Sequence, residues 1–356
     1  MIGADRIHVR LGIVDARVVD VDIRYHRGPG LEQLLVGRSP DEAPRIAALV
    51  HRICAHAHAA AAATACAYAQ NLIVTQSERS RRWISVLTEH VTQHAFSLFV
   101  DWPGALGESA SLAAYRSVET AARAVASCDA SDTLSLTAAA SDLSMCIHDS
   151  LKWRASRCDL PVFEAWMRSG ECAPARLLDG LRARGYGGYW DACGGQSDEA
   201  KVMHAADGCR TGGESGPMRR YAGHPLLRAL DVRHRDDLMM RLVARVVEYL
   251  DMPRCLAGRL QFPSWRPVMG RRRAAGIGTG QVETARGRLL HSVEIADGTI
   301  RAYKTLSPTE RNFRPNGPLW AALMRRKVAD VQAIRTYARM SVMALDPCVA
   351  CDIEVE

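Results

Sequence analysis

Three cysteines carry the most chemistry in this chain of 356 residues. Cys54 lies in Arg52-Ile53-Cys54, and Cys348 and Cys351 lie in Asp346-Pro347-Cys348-Val349-Ala350-Cys351. Thiolates are soft donors that favour zinc, nickel, Cu(I) and iron centres, and two cysteines three positions apart can grip one ion from a single turn. A C-terminal pair brought to meet a distant cysteine would make a three-thiolate site. A lone Cys-x-x-Cys also serves redox exchange, but no helix follows this pair, which argues against a thioredoxin-like use. Other donors stand in the same stretches. His56 and His58, beside Cys54, would complete a four-ligand zinc site with the terminal pair, or they face solvent or a neighbouring helix. His90 and His94 have the i, i+4 spacing of a helical metal pair, although two structural histidines explain them more simply. Arg286, in Glu283-Thr284-Ala285-Arg286-Gly287, presents a rigid fork of N–H donors with a fixed charge, or braces its β unit through Glu283 or Glu294.

Composition narrows the classes. Hydrophobic residues make up 48% of the chain, enough for a sizeable core. The net charge is +7, and almost all of the 46 basic residues are arginine, scattered and mixed with acids. A nucleic-acid groove needs a basic stripe, so no nucleic-acid partner is expected. No apolar run reaches membrane-spanning length, and the first residues carry charges where a signal peptide needs an apolar stretch. A cytoplasmic protein without a membrane span follows by default. Eleven cysteines is an odd count for a disulfide framework, so reduced thiols are expected. Cys66, Cys128, Cys146, Cys158, Cys172, Cys193, Cys209 and Cys255 match no motif and read as core or incidental.

The elements that must position these donors are mainly helical. Residues Ile7 to Tyr25 alternate as a strand hairpin turning near Asp15. Asp41 to about Asn71 reads as one long, alanine-rich helix, bare of bulk and packed closely by its neighbours. Further helices are expected at Ser80 to Val100, Leu112 to Ser127, Leu134 to Trp153 and Leu226 to Leu250. Cys193 to Gly216, rich in Gly, Ser and Asp, is the candidate mobile loop. Gly276 to Gly280 reads as a flexible turn before a second β unit. There, Leu289 to Glu294 and Thr299 to Lys304 flank the hairpin turn Asp297-Gly298. A last helix, Leu319 to Met340, delivers the chain to the cysteine pair. The expected fold is mainly α with small β units (α+β), one domain over residues 1–356.

Four blocks resemble the large subunit of nickel-iron hydrogenases. Glu32 to Pro44, with Gly37-Arg38-Ser39-Pro40-Asp41, resembles the stretch before the family's first cysteine motif, and Arg52-Ile53-Cys54 the start of that motif. Glu283 to Gly287, continuing through His291, Asp297-Gly298, Tyr303 and Pro308-Thr309-Glu310-Arg311-Asn312, resembles the long C-terminal signature. Asp346 to Cys351 resembles the final cysteine motif. The stretch from about Gly104 to Gly270 carries little that matches. The departures are as informative. Ala57 stands where the family has its second cysteine. Glu354 stands where a processing histidine is found, so no trimming is expected. Arg6-Ile7 is followed by His8, where the family has a proton-relaying glutamate.

A chain with these departures is more similar to the shortened large-subunit-like accessory proteins of hydrogenase maturation, the HupK/HoxV type. The resemblance implies a trimmed large-subunit architecture and a non-catalytic scaffold. Its cargo would be an iron fragment with cyanide and carbon monoxide ligands, Fe(CN)2CO, held transiently; nickel is not expected. The metal ligands implied are Cys54, Cys348 and Cys351, with Arg286 donating to cyanide. Implied partners are the hydrogenase large-subunit precursor and the complex that delivers the iron fragment. Two other readings stay open: a divergent hydrogenase large subunit that oxidises H2, and a zinc-stabilised interaction protein.

Overall fold

A computed structural model describes residues 5–28, 30–183, 213–234, 237–257, 267–324, 326–327 and 329–356. Most of the loop expected at 193–216, with Cys193 and Cys209, lies outside the described residues. In chain order the elements are β1 (Arg6–Val14), β2 (Arg17–His26), α1 (Leu31–Leu35), α2 (Ala43–Val50), α3 (Ala55–Ala69), α4 (Gln76–Phe96), α5 (Trp102–Ala105), α6 (Leu112–Ser127), α7 (Thr133–Leu151), α8 (Leu160–Ser169) and α9 (Ala173–Ala183). They continue with α10 (Pro217–Tyr221), α11 (Pro225–His234), α12 (Asp237–Leu256), β3 (Val268–Ala274), β4 (Ile277–Thr284), β5 (Gly287–Ala296), β6 (Thr299–Leu306), α13 (Pro308–Asn312), α14 (Pro318–Leu323), α15 (Val331–Leu345) and β7 (Ala350–Val355). Packing divides them into two compact units. One is Met1–Gly28, Leu178–Arg245 and Pro308–Glu356; the other is Pro29–Leu177 and Val246–Ser307. No single helix among the described residues is long and apolar enough to cross a membrane.

The first unit is built on the expected hairpin. Asp15 and Ala16 take positive φ (49° and 55°) at its turn, the geometry whose twist matches paired strands. Ile7, Val9 and Leu11 alternate into the core. The third strand, β7, runs parallel to β1 with Cys351 opposite Ile7, so the end of the chain pairs with its beginning. The expected helix from Leu319 to Met340 is instead two, α14 and α15. Between them the backbone turns extended at Met324, and the Arg326 carbonyl accepts from the Val18 amide at 2.9 Å. Bonding to the hairpin here replaces helical bonding. Asp330 then caps α15, accepting from Ala333 N at 2.7 Å.

The second unit sets α3 against the antiparallel sheet β3-β4-β5-β6. The turn expected over Gly276 to Gly280 is confined to Gly276, at φ 71° between β3 and β4. Gly278 and Gly280 lie inside β4, and a Cβ on either would stand 2.2 Å from the Ala65 carbonyl oxygen or 2.1 Å from that of Ala61. An alanine helix laid on a glycine strand lets two backbones approach where side chains would hold them apart. Asp297 and Gly298 make the expected hairpin turn with φ of 51° and 71°. The long helix expected from Asp41 to Asn71 is also corrected. Its two halves are bent by 106°, because His51 leaves helical geometry at φ −108°, ψ 63°. The bend leaves Cys54 at the N-cap of α3.

Helix α4 starts earlier than Ser80, at a capping box in which Thr75 and Glu78 each bond the other's backbone amide. It continues through a π turn, Ser97–Asp101, into α5, where Trp102 is fully buried. The helix expected at Leu226 to Leu250 is found as α11 and α12, with residues 235–236 outside the described set.

Candidate functional site

In the second unit, the start of α3 is held by α4. The Glu89 carboxylate accepts from the amides of His56 at 2.7 Å and Ala57 at 3.1 Å. These are among the N-terminal amides that a helix cannot satisfy itself, and the positive end of α3 favours the negative charge placed there. Burial pushes the Glu89 carboxyl up to about 7, against the pull of those amides and of Arg286. One turn on, Gln93 donates from Nε2 to the Ile53 carbonyl and accepts from Arg286 Nη1 at 2.7 Å. Arg286 sits at the tip of the tight β4–β5 turn, where its amide donates to Thr284 Oγ1 at 3.1 Å. Of the carboxylates that the sequence offered to Arg286, Glu283 pairs with Arg288 at 2.7 Å.

Cys54 is half-buried against a cluster containing Ala57, Val86, Val282 and Leu289. Ala57, at the position of the missing family cysteine, is fully buried. A cavity of ≈ 500 Å³ opens beside this segment, lined in part by Arg52, Ile53, His56, Glu89, Gln93 and Arg286. His56 is exposed. His58, expected to face solvent or a neighbouring helix, is buried: it stacks on His51 at the end of α2, ring centroids 3.7 Å apart, and lies within 3.0 Å of His291 on β5, which itself bonds Tyr303 at 2.6 Å. Burial and the neighbouring imidazoles hold His58 well below the usual histidine range, and burial lowers His291 to about 3.

In the first unit, α15 ends at Asp346, which takes positive φ (51°) and accepts from the buried Arg245 at 2.8 Å. Pro347 then fixes the next φ, and the Cys348 amide donates to Thr309 Oγ1 at 3.2 Å, with Sγ 3.3 Å from the same oxygen. Thr309, from the stretch that resembles the C-terminal signature, thus sets the position of Cys348. Tyr25 is nearby: burial, then Cys348 and Asp5, hold its phenol above the ordinary range. Cys351 lies in β7, and burial, then Asp352, push its thiol up to about 12. A thiol must lose its proton to bind metal, so any metal taken up by Cys351 would displace one. Every cysteine among the described residues is a free thiol.

Glu89, Gln93 and Thr309 touch the candidate residues or their backbone, and the sequence reading passed over all three as site residues. The only sequence signal for the first two was their i, i+4 spacing on α4, which is common to any helix.

A family model described as nickel-dependent hydrogenase matches residues 221–354. The "Hydrogenase expression/formation protein HupK" of Rhizobium leguminosarum bv. viciae is 30% identical over 370 residues, covering 100% of this chain and 98% of the relative. The protein of the same name from Azotobacter vinelandii is 42% identical over 82 residues, 23% of this chain and 24% of its own. Among solved structures, the Ni-Fe-Se hydrogenase of D. vulgaris Hildenborough aligns with a TM-score of 0.59 over 94% of both chains at 18% identity. That likeness concerns the fold, a trimmed large-subunit-like α+β architecture. An end-to-end match at this identity goes further, and the chain belongs to the family of hydrogenase expression/formation proteins of the HupK type.

Proposed function

We propose that this chain serves in nickel-iron hydrogenase maturation as a non-catalytic scaffold, holding an Fe(CN)2CO fragment before it passes to the large-subunit precursor. The complex that delivers the fragment would be its other partner. The observation that carries the reading is Ala57, buried one turn after Cys54 where the hydrogenase large subunit has a second cysteine. The chain keeps three of the four thiolates that the resemblance implies, Cys54, Cys348 and Cys351. An incomplete set of soft donors can hold iron while keeping it exchangeable. Arg286 would donate to a cyanide nitrogen. Its guanidinium is already oriented by Gln93 at 2.7 Å, and a planar, permanently charged donor suits that role. Relatives named for hydrogenase expression and formation support the same reading.

The test is infrared spectroscopy of protein purified without oxygen from a host that carries the maturation machinery. Cyanide and carbonyl stretching bands, lost in Cys351→Ser, are expected. Absence of those bands, with zinc bound through sulfur in their place, would overturn the scaffold reading. Hydrogen uptake by a stable complex with a small subunit would replace it with that of a divergent enzyme.

A further inference from the structure

The pair His90 and His94 takes no part in the site described above. Both lie on α4 one turn apart, with ring centroids 4.7 Å apart. Facing them from the part of α12 in the same unit is Glu248. His90 Nε2 lies 3.2 Å and His94 Nε2 2.9 Å from one and the same oxygen, Glu248 Oε2. All three side chains have 0% exposure, and their ligand atoms lie within 4.8 Å of one another.

We infer that His90, His94 and Glu248 form a binding site for a divalent first-row metal ion, zinc by its donor set, that ties α4 to α12. Two imidazoles and a carboxylate are a recurrent zinc ligand set, with bonds of about 2.0–2.2 Å. Donors at that distance in tetrahedral directions stand roughly 3.3 Å apart, so the observed separations need only small adjustments to admit an ion. All three ligand atoms converge on one small enclosed volume. A divalent ion there would draw on neutral imidazole lone pairs and the carboxylate charge at once. The enclosure also decides the class. Catalytic zinc keeps a position open to water or substrate, whereas structural zinc is closed by protein ligands. Here all three side chains are sealed from solvent, as in a structural site. The sequence pointed to the pair by its i, i+4 spacing; the third ligand, more than 150 residues away, required the fold.

This inference is independent of the scaffold reading, and its test keeps the two apart. Cys54, Cys348 and Cys351 are changed together to Ser, the protein is stripped with a chelator, and Co(II) or Zn(II) is added. The site predicts about one ion per chain, a tetrahedral Co(II) spectrum without a thiolate-to-cobalt charge-transfer band, and a higher melting temperature with zinc. His94→Gln and Glu248→Gln in that background should weaken binding at least tenfold. In the unaltered protein, zinc-edge X-ray absorption should show imidazole scattering in a shell without sulfur. Failure of the thiolate-free protein to take up Co(II), unchanged binding in His94→Gln, or a sulfur-only zinc shell would overturn the site and leave a metal-free imidazole–carboxylate cluster. None of these outcomes bears on the cyanide and carbonyl bands that test the scaffold.

Discussion

Two faces of one helix, α4, are built to opposite specifications. Glu89 and Gln93 turn toward the start of α3, where they hold the Cys54 segment and Arg286 beside an open cavity. His90 and His94, one position round, turn toward Glu248 in complete enclosure. A helix places neighbours in sequence about 100° apart, so a single element can present unlike chemistry on adjacent faces. The difference is the one between the proposed holder and the proposed staple. A donor set that is incomplete and half-exposed can exchange what it binds; one that is satisfied and sealed keeps it.

The largest expected effect on cargo tests the open side. Cys351→Ser should remove most of the iron recovered with the protein, on the order of tenfold, because it deletes a soft anionic ligand. Cys146→Ser, at a cysteine that matches no motif, should leave iron near the wild-type level. Iron content after oxygen-free purification decides. Equal losses in the two variants would mean that folding was measured instead of ligation.

The frame beneath the open side is the second target. Gly280→Ala forces a Cβ against the Ala61 carbonyl oxygen, now 2.1 Å from that position. Overpacking of this kind costs about 3 kcal/mol, and the urea unfolding midpoint should fall accordingly. Unchanged stability would show that α3 can slide on β4, so that Cys54 is not held in place by that contact.

A pH series sharpens the comparison further. Glu89 titrates near 4.3 in the unfolded chain and at about 7 in the folded one. Its folded value is raised, so the stability it contributes is complete below the unfolded value and is lost as pH rises toward 7. Glu89→Gln cannot ionise and lacks this loss. Its stability relative to wild type should therefore grow between pH 5 and pH 8, by roughly 2 kcal/mol. A difference independent of pH would mean that Glu89 stays ionised throughout, and that the start of α3 is less secluded than its burial implies.

The smallest effect is the most specific. Ala57→Cys adds a fourth thiolate at the family spacing, at a buried position where the chain has only a methyl group. Iron recovered with the protein should rise several-fold, about 1 kcal/mol in retention, while hydrogenase maturation in the same cells falls. Iron and maturation both unchanged would show that residue 57 does not face the cargo, and the scaffold reading would lose its main support.

Much of the frame was legible in the residues. The β1–β2 and β5–β6 hairpins follow from period-two alternation and from turns that need positive φ. The close packing of α3 follows from its alanines. What was misread shares a cause. Asp41 to Asn71 has helix-forming residues throughout, and nothing local marks His51 as a break. Gly276 to Gly280 read as flexible because glycine is permissive in isolation; Gly276 does turn, but Gly278 and Gly280, inside β4, answer to the backbone of α3. Leu319 to Met340 is divided by a backbone bond from Val18, a partner some 300 residues earlier.

Family membership was settled by residue identity alone, since motifs survive in sequence wherever the chain places them. So were the donor types: thiolates at 54, 348 and 351, imidazoles at 90 and 94, a guanidinium at 286. Only the tertiary structure decided which groups attend them. Glu89 caps the helix after Cys54, Thr309 holds Cys348, Asp346 is anchored on Arg245, and Glu248 closes on two histidines more than 150 residues away. The physical reason is range. Propensity and periodicity act within a turn or two of the chain, whereas hydrogen bonding and desolvation act between whatever groups packing brings together.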